Sequence, residues 1–411
     1  MAAIDPLRAS PVDLIASFGL MLDRSRETRY DHAWRVALLG YHLAKRLDSF
    51  EAPLVFLAGM VMDCGAIHFR RHIVEELADH PSTLSQKADT QLFFHPVTAN
   101  EALRRLPGMR RVAELVLSHH ECLNGSGYPA GLVGDQIELG AQILRVADQL
   151  DLVLRSDQPG NEKEAERALA PYEGEDFSAA LVRTLREILS EHVPFGYLLR
   201  PEAISEEVEK ICRELAGIRI FEDLDDWERV LAGLANIVDS HNLSYSQGHS
   251  TRSAELADRV ATMLDLSEED RRLVRWAGYL QNMGETALQR EFKGKSGRLD
   301  ETEREAIRRH PLVGEELLGR VEGFAPVARI VRCHHENWDG SGYPEGLAMT
   351  DIPLHSRIIR VADTFDAMIS DRPYKRRRDW RHSLKELRRH AGSQFDPHVV
   401  EAAVTLLSAK T

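Results

Sequence analysis

The sequence predicts an all-α protein made of two similar helical bundles in tandem, joined by a helical linker. Three observations predict it. At 411 residues the chain is too long for one ordinary core and suits two domains of roughly 150–200 residues. The chain repeats itself: "HHECLNGSGYPAGL" (119–132) returns as "HHENWDGSGYPEGL" (334–347), an offset of 215 residues (334 − 119). Apolar residues recur at helical spacing, and alternating strand patterns are absent.

The elements follow in order. The first copy spans 1–195 and the second 225–411. "FHPVTANEAL" at 94–103 is answered by "RHPLVGEELL" at 309–318, and "AQILRVADQLDLV" at 141–153 by "SRIIRVADTFDAM" at 356–368. Between the copies, residues 196–224 contain "RPEAISEEVEKICRELAG", charged and helical in period, which reads as a linker helix. In the second copy, "HSTRSAELADRVATMLDL" (249–266) places Ala254, Ala257, Val260, Ala261 and Leu264 on one helical face. Ser267 in "SEED" and Thr302 in "TERE" read as capped helix starts. The His-Pro pairs at His95 and His310 read as helix starts too, where proline costs little. The two GSGYP stretches are the strongly non-helical segments, since glycine allows backbone angles that other residues resist.

Composition narrows the function classes. The formal net charge of −13 argues against a DNA or RNA polymer as partner, because affinity for polyphosphate needs clustered Lys and Arg. It leaves room for a small phosphorylated ligand in a local basic pocket. One basic patch exists, "RPYKRRRDWR" (372–381), which reads equally well as a solvated helix start. No apolar run approaches the ~18–20 residues of a membrane span, and the first residues carry no secretion signal. The four cysteines (Cys64, Cys122, Cys212, Cys333) form no C-x-x-C pair and read as free thiols of a cytoplasmic protein.

The chemistry-bearing residues also repeat. His249, His310, His334, His335 and Asp363 sit on or beside different predicted helices of the second copy. His32, His95, His119, His120 and Asp148 answer them in the first. Imidazole and carboxylate ligands suit Fe, Mn or Zn. Core packing does not require four histidines and an acid in the same order twice.

With "HHENWDGSGYPEGL" followed by "RIIRVADTFDAMISDRPYK", the chain resembles the HD-GYP domains, a branch of the HD metal-dependent phosphohydrolases. The resemblance covers nearly both halves. It implies a helical bundle around a cluster of metal ions, usually iron or manganese, and hydrolysis of cyclic dinucleotides, chiefly cyclic di-GMP. It implies that one ion is held by an early His, a His-Asp pair and a late Asp. A second ion is held by the Asp of that pair, the His of His-Pro and the two adjacent histidines. It also implies a Lys three residues after the Asp that holds phosphate.

Each copy departs from this pattern. The first has "VMDCGA", where Met62 replaces the His, Asp63 survives as the bridging acid and expected catalytic residue, and Ala66 replaces the Lys. Asp63, His95, His119 and His120 form one complete set, and His32, Asp63 and Asp148 form one short of a ligand. The expectation is one or two divalent ions there. The second has "YLQNMGE": Gln281, Asn282 and Glu285 replace His, Asp and Lys. A neutral amide is a poor bridge between cations, so His249, Asp363, His310, His334 and His335 are expected to hold at most one ion. This copy keeps the ligand-facing residues Asp339, Gly342, Tyr343, Arg372, Tyr374 and Lys375, while Asn124 stands where the second copy has Asp339. Thr28 and Tyr245 occupy the places where some family members carry a Glu for a third metal. The expected function is a metal-dependent phosphodiesterase acting on a cyclic dinucleotide, with chemistry in the first copy and regulation in the second. The alternatives are a non-catalytic receptor for such a nucleotide and an inactive scaffold. A homodimer or a signalling protein is the expected macromolecular partner.

Overall fold

The computed structural model describes residues 9–24, 31–67, 69, 90–154, 169–190, 200–240, 246–285, 300–371 and 377–409. Among these residues the regular elements are helical. The sheet-like pairings are isolated bridges, including Asn124 with Val133 and Asp339 with Ala348 at the two GSGYP loops. The all-α expectation therefore holds. The chain divides into two compact units, one running from Pro11 to Glu222 and the other from Asp223 onward, the latter joined by Ala9 and Ser10.

In the first unit the helices are α1 (Pro11–Leu22), α2 (His32–Arg46), α3 (Ala52–Val61), α4 (Thr90–Leu103), α5 (Arg110–Leu117), α6 (Leu139–Leu154), α7 (Ala179–Ser190) and α8 (Pro201–Leu215). Helix α3, "APLVFLAGMV", is apolar all round, so it lies at the centre and packs against α1, α2, α5 and α6. It runs directly into a 3-10 turn, Met62–Ala66. Helix α8, the segment read as a linker, buries Ile204, Val208, Ile211 and Leu215 on one stripe. That stripe packs against α1 and α2, and Tyr41 Oη donates to Glu214 at 3.1 Å.

The second unit repeats the plan with α9 (Leu224–Asp239), α10 (His249–Met263), α11 (Glu268–Leu280), α12 (Glu301–Arg308), α13 (His310–Leu318), α14 (Ala325–Arg332), α15 (Leu354–Ile369), α16 (Trp380–Arg389) and α17 (Pro397–Ser408). Helix α10 packs against α11 and α15, as α2 packs against α3 and α6. Its predicted stripe is buried at Ala254, Ala257, Val260 and Ala261. A cluster of Trp227, Trp276 and Phe324, with ring centroids 5.4–5.8 Å apart, fills the core beside it.

Two helix starts differ from expectation. Ser267 does cap α11, accepting from Asp270 N, but α12 is capped by Asp300 rather than Thr302. Asp300 and Glu303 form the reciprocal box, so the helix begins one residue before Thr302. His310 does open α13 with Pro311 behind it. Pro96, in contrast, lies inside α4, which begins at Thr90. The carbonyl left without its helical N–H by that proline belongs to Leu92, and the His95 ring takes it, as described next.

Candidate metal centre

The cluster in the first copy is assembled from five places in the chain. His32 is the first residue of α2. Asp23 Oδ2 accepts from Ala33 N at 2.7 Å, which satisfies an orphan amide of that helix start. His32 Nδ1 donates to Asp151 Oδ2 at 2.7 Å, and Asp151 is itself paired with Arg35 Nε. This fixes the ring so that Nε2 faces inward. Asp63 comes from the 3-10 turn after α3. A Cβ on Gly65 of this turn would lie 2.1 Å from the His95 carbonyl, so only glycine lets the turn meet α4.

Two of the three remaining histidines are oriented by backbone carbonyls. His95 Nδ1 donates to Leu92 O at 2.6 Å, the carbonyl that Pro96 leaves open, and His119 Nδ1 donates to Val116 O at 2.6 Å. Both Nε2 atoms therefore carry lone pairs, and they face each other at 3.3 Å. The His119 and His120 rings lie 4.1 Å apart, and Tyr128 stacks on His120 at 4.8 Å. Asp148, on α6, completes the group.

The distances are those of ligands around an ion. His32 Nε2 is 3.3 Å from both Asp63 Oδ2 and Asp148 Oδ1, and His95 Nε2 is 3.5 Å from Asp63 Oδ1. Donors at ~2.1 Å from one ion are spaced about 3.0–3.4 Å from each other. Both carboxylate oxygens of Asp63 and Asp148, Nε2 of His32 and both ring nitrogens of His120 are buried without a hydrogen-bond partner. In folded proteins most buried polar atoms are paired, since leaving one unpaired costs about 1–3 kcal/mol. A divalent cation fits this set and would satisfy it.

The electrostatics agree. Burial pushes the His95 pKa down to about 4, with His119 adding to the shift. Burial also lowers His119 and holds His120 well below its usual value. All three stay neutral and open to a cation. Burial opposes a charge on His32, yet Asp148, Asp151 and Asp63 outweigh it and raise the pKa well above 6.5. Burial likewise opposes charge on Asp63, but His32 and the other imidazoles hold it ionised, far below the normal carboxylate range.

The second copy has the same skeleton and different contents. His249 Nδ1 donates to Asp366 Oδ2 at 2.7 Å, and Arg252 braces Asp366 at 2.8 and 2.9 Å. His249 Nε2 donates to Asp363 Oδ1 at 2.9 Å, so both ring nitrogens are committed to carboxylates. Asn282 Nδ2 donates to Ser250 Oγ at 3.2 Å, away from any bridging role. Gln281 is fully buried, its amide atoms unpartnered, and Glu285 is buried as well. His310 and His334 donate through Nδ1 to Ile307 O (2.8 Å) and Val331 O (2.5 Å), leaving their Nε2 atoms 3.2 Å apart. Arg360 Nη1 lies 3.2 Å from His335 Nδ1.

The residues expected to face a ligand are placed less uniformly. Tyr343 lies on the His335 ring at 5.0 Å. Asp339 Oδ1 accepts from Ser341 N at 2.9 Å and Ser341 Oγ at 2.6 Å, so it shapes the exposed turn. Asn124 does the same with Ser126 N at 2.9 Å. A Cβ on Gly342 would fall 2.2 Å from Asn337 N, so the turn folds tightly on itself there. Arg372, Tyr374, Lys375, Thr28 and Tyr245 lie outside the described residues.

A family profile for the HD domain matches residues 17–176 and again 233–399. The chain belongs to the HD-domain family. Its GSGYP turns place it in the HD-GYP branch, with the HD domain present twice. The 3′3′-cGAMP-specific phosphodiesterase 1 of Vibrio cholerae serotype O1 is 28% identical over 358 residues, covering 84% of this chain and 79% of that protein. The 3′3′-cGAMP-specific phosphodiesterase 3 of the same organism is 31% identical over 277 residues (67% and 58%). The cyclic di-GMP phosphodiesterase response regulator RpfG of Xanthomonas campestris pv. campestris is 42% identical over 153 residues (37% and 40%). The chain thus spans 79%, 58% and 40% of these three relatives. The crystal structure of a cyclic GMP-AMP specific phosphodiesterase of V. cholerae, V-cGAP3, superposes with a TM-score of 0.65 at 23% identity, over 97% of this chain and 98% of that one. At that identity the likeness is one of fold. HD-domain phosphohydrolases depend on metal, and both HD copies carry a buried histidine trio suited to one: His95, His119, His120 and His310, His334, His335. No described helix is long and apolar enough to cross a membrane.

Sequence reasoning missed the residues that support these HD sites. Asp151 and Asp366 orient the first histidine of each copy. Asp23 and Asp239 hold the amide behind it, the latter accepting from Ser250 N at 2.7 Å. Glu121 clips the loop by accepting from Ala130 N and Leu132 N, and Glu336 does so from Glu345 N and Leu347 N. The signal was available, since Asp151 and Glu121 recur in the second copy at the offset shared by the histidines.

Proposed function

We propose that this protein is a metal-dependent phosphodiesterase acting on a cyclic dinucleotide such as cyclic di-GMP or 3′3′-cGAMP, with its chemistry in the first HD copy and regulation in the second. The observation that carries the reading is the set of buried, partnerless atoms on His32, Asp63, His120 and Asp148, gathered beside His95 and His119. Asp63, His95, His119 and His120 would hold one ion, and His32, Asp63 and Asp148 a weaker second one, since Met62 supplies only a soft thioether. Bound there, Fe or Mn would supply Lewis-acid charge for the phosphodiester and lower the pKa of the attacking water. The chain's own contribution is orientation. Asp151 and Arg35 set His32, the Leu92 and Val116 carbonyls set His95 and His119, and Tyr128 covers His120 from solvent.

In the second copy Asn282 is turned to Ser250 and His249 is closed on Asp363, which supports at most one ion there, between His310, His334 and His335. Tyr343, with Arg372, Tyr374 and Lys375, would hold the regulatory nucleotide, and the response would pass to a partner subunit or another signalling protein in the cytoplasm. The test is direct. Protein loaded with Mn(II) or Fe(II) hydrolyses cyclic di-GMP or 3′3′-cGAMP, and Asp63→Ala abolishes turnover and lowers the metal content per chain. If the loaded protein leaves both nucleotides intact, the reading is wrong.

One observation favours a second reading, a receptor that binds without turnover. Neither copy has the phosphate-holding lysine, its places being Ala66 and Glu285. Calorimetry that shows tight nucleotide binding in the absence of hydrolysis would select it.

A further inference from the structure

The two HD copies place different chemistry over the same tyrosine. In the first, His120, Tyr128 and Phe93 form a column of nearly parallel rings. Tyr128 lies 4.8 Å from His120 at 22°, and Phe93 lies 5.1 Å from Tyr128 at 24°. Phe94 meets Phe93 edge-on at 5.2 Å and 80°, and is 49% exposed. In the second copy Tyr343 lies on His335, but the place of Phe93 is taken by Arg308, whose guanidinium sits 5.8 Å from the centre of the Tyr343 ring. Arg309 takes the place of Phe94. Both pairs immediately precede the His-Pro histidine, so both sit at the rim of a buried cluster.

Folding does not explain the aromatic pair. The second copy builds the same helix junction with two arginines, and an exposed phenylalanine forfeits the gain of burial. A column of rings that runs from a phosphate-chemistry cluster to solvent offers a flat apolar face at its outer end. A nucleotide presents a flat aromatic base beside its phosphate, and base–aromatic stacking is a strong, sequence-tolerant contact. An arginine at the same rim offers charge in its place. We propose that Phe94, at the outer end of the Phe93–Tyr128–His120 column, is the platform on which a purine base of the cyclic dinucleotide stacks while its phosphodiester faces the Asp63 cluster. Phe94 is then a specificity-determining residue of the first copy, and the second copy, with Arg308 and Arg309, lacks the platform. This inference rests on the function proposed above.

The test uses the full chain. In Phe94→Trp, the added tryptophan emission, read as the difference from wild type, is expected to be quenched on titration with cyclic di-GMP or 3′3′-cGAMP and unmoved by inorganic phosphate. Phe94→Ala is expected to weaken nucleotide binding by calorimetry about tenfold or more, with an unchanged unfolding temperature because the ring is exposed. Phe94→Tyr is expected to restore it. Wild-type affinity in Phe94→Ala, or an emission blind to nucleotide in Phe94→Trp, overturns the inference. The two readings fail separately. Turnover lost in Asp63→Ala with normal binding in Phe94→Ala leaves the enzyme and removes the platform. Weakened binding in Phe94→Ala with no turnover in wild type does the reverse.

Discussion

A partner on one ring nitrogen fixes which way the other faces, and for His95, His119, His310 and His334 that partner is a backbone carbonyl. Pro96 leaves open the carbonyl of Leu92 and the preceding His95 donates to it; His310, before Pro311, likewise donates to the Ile307 carbonyl at the end of the preceding helix. Pro96→Ala returns a competing N–H, so metal affinity should fall about 10–100-fold, as for other outer-shell changes, measured by Mn(II) titration. Asp151→Asn should produce a loss of the same order by freeing His32 to turn. In the second copy His249 lies between Asp363 and Asp366, which outweigh burial and raise its pKa to about 9, while His249 lowers Asp363 to about 2. The His249 contribution to stability is present below its unfolded value of ~6.5 and lost as pH rises through about 9. The Asp363 contribution is present above ~3.9 and lost as pH falls through about 2. The stability difference between metal-free wild type and His249→Gln should therefore peak between about pH 4 and 6.5 in urea unfolding. A flat difference across pH 4–10 would contradict the double ion pair.

At the scale of elements, the 3-10 turn after α3 and its counterpart after α11 decide whether the cluster closes. A Cβ at Gly284 would lie 2.2 Å from the His310 carbonyl and 2.7 Å from Gly314 N, both backbone atoms that side-chain motion cannot clear. Gly284→Ala should cost about 1–3 kcal/mol by overpacking and separate α13 from α11, readable as a lowered urea midpoint. Much at this scale was legible. The α10 stripe and the Ser267 cap follow from spacing and local hydrogen bonding, which a sequence displays directly. Thr302 was a wrong cap because Asp300, two residues earlier, already forms the reciprocal box with Glu303, which leaves Thr302 inside the first turn. Pro96 was a wrong helix start because the neighbouring His95 ring supplies a substitute donor to the Leu92 carbonyl, so the helix runs through the proline, and a ring's orientation is not written in the sequence.

For the whole molecule, the repeat and its histidines were visible because duplication prints the same residues twice. The supporting acids were not singled out, because Asp and Glu are common and their burial is not a local property. Duplication also explains how the HD copies diverged, each retaining its helical bundle while losing different side chains. If that account holds, Gln281→His combined with Asn282→Asp should add metal to the second copy, read by elemental analysis as an increase per chain over wild type. The most direct measurement is hydrolysis of 3′3′-cGAMP and cyclic di-GMP by Mn(II)- or Fe(II)-loaded protein, comparing wild type, Asp63→Ala and His334→Gln. The account predicts turnover in wild type, none in Asp63→Ala, and retained turnover in His334→Gln. Turnover that survives Asp63→Ala and vanishes in His334→Gln would contradict it.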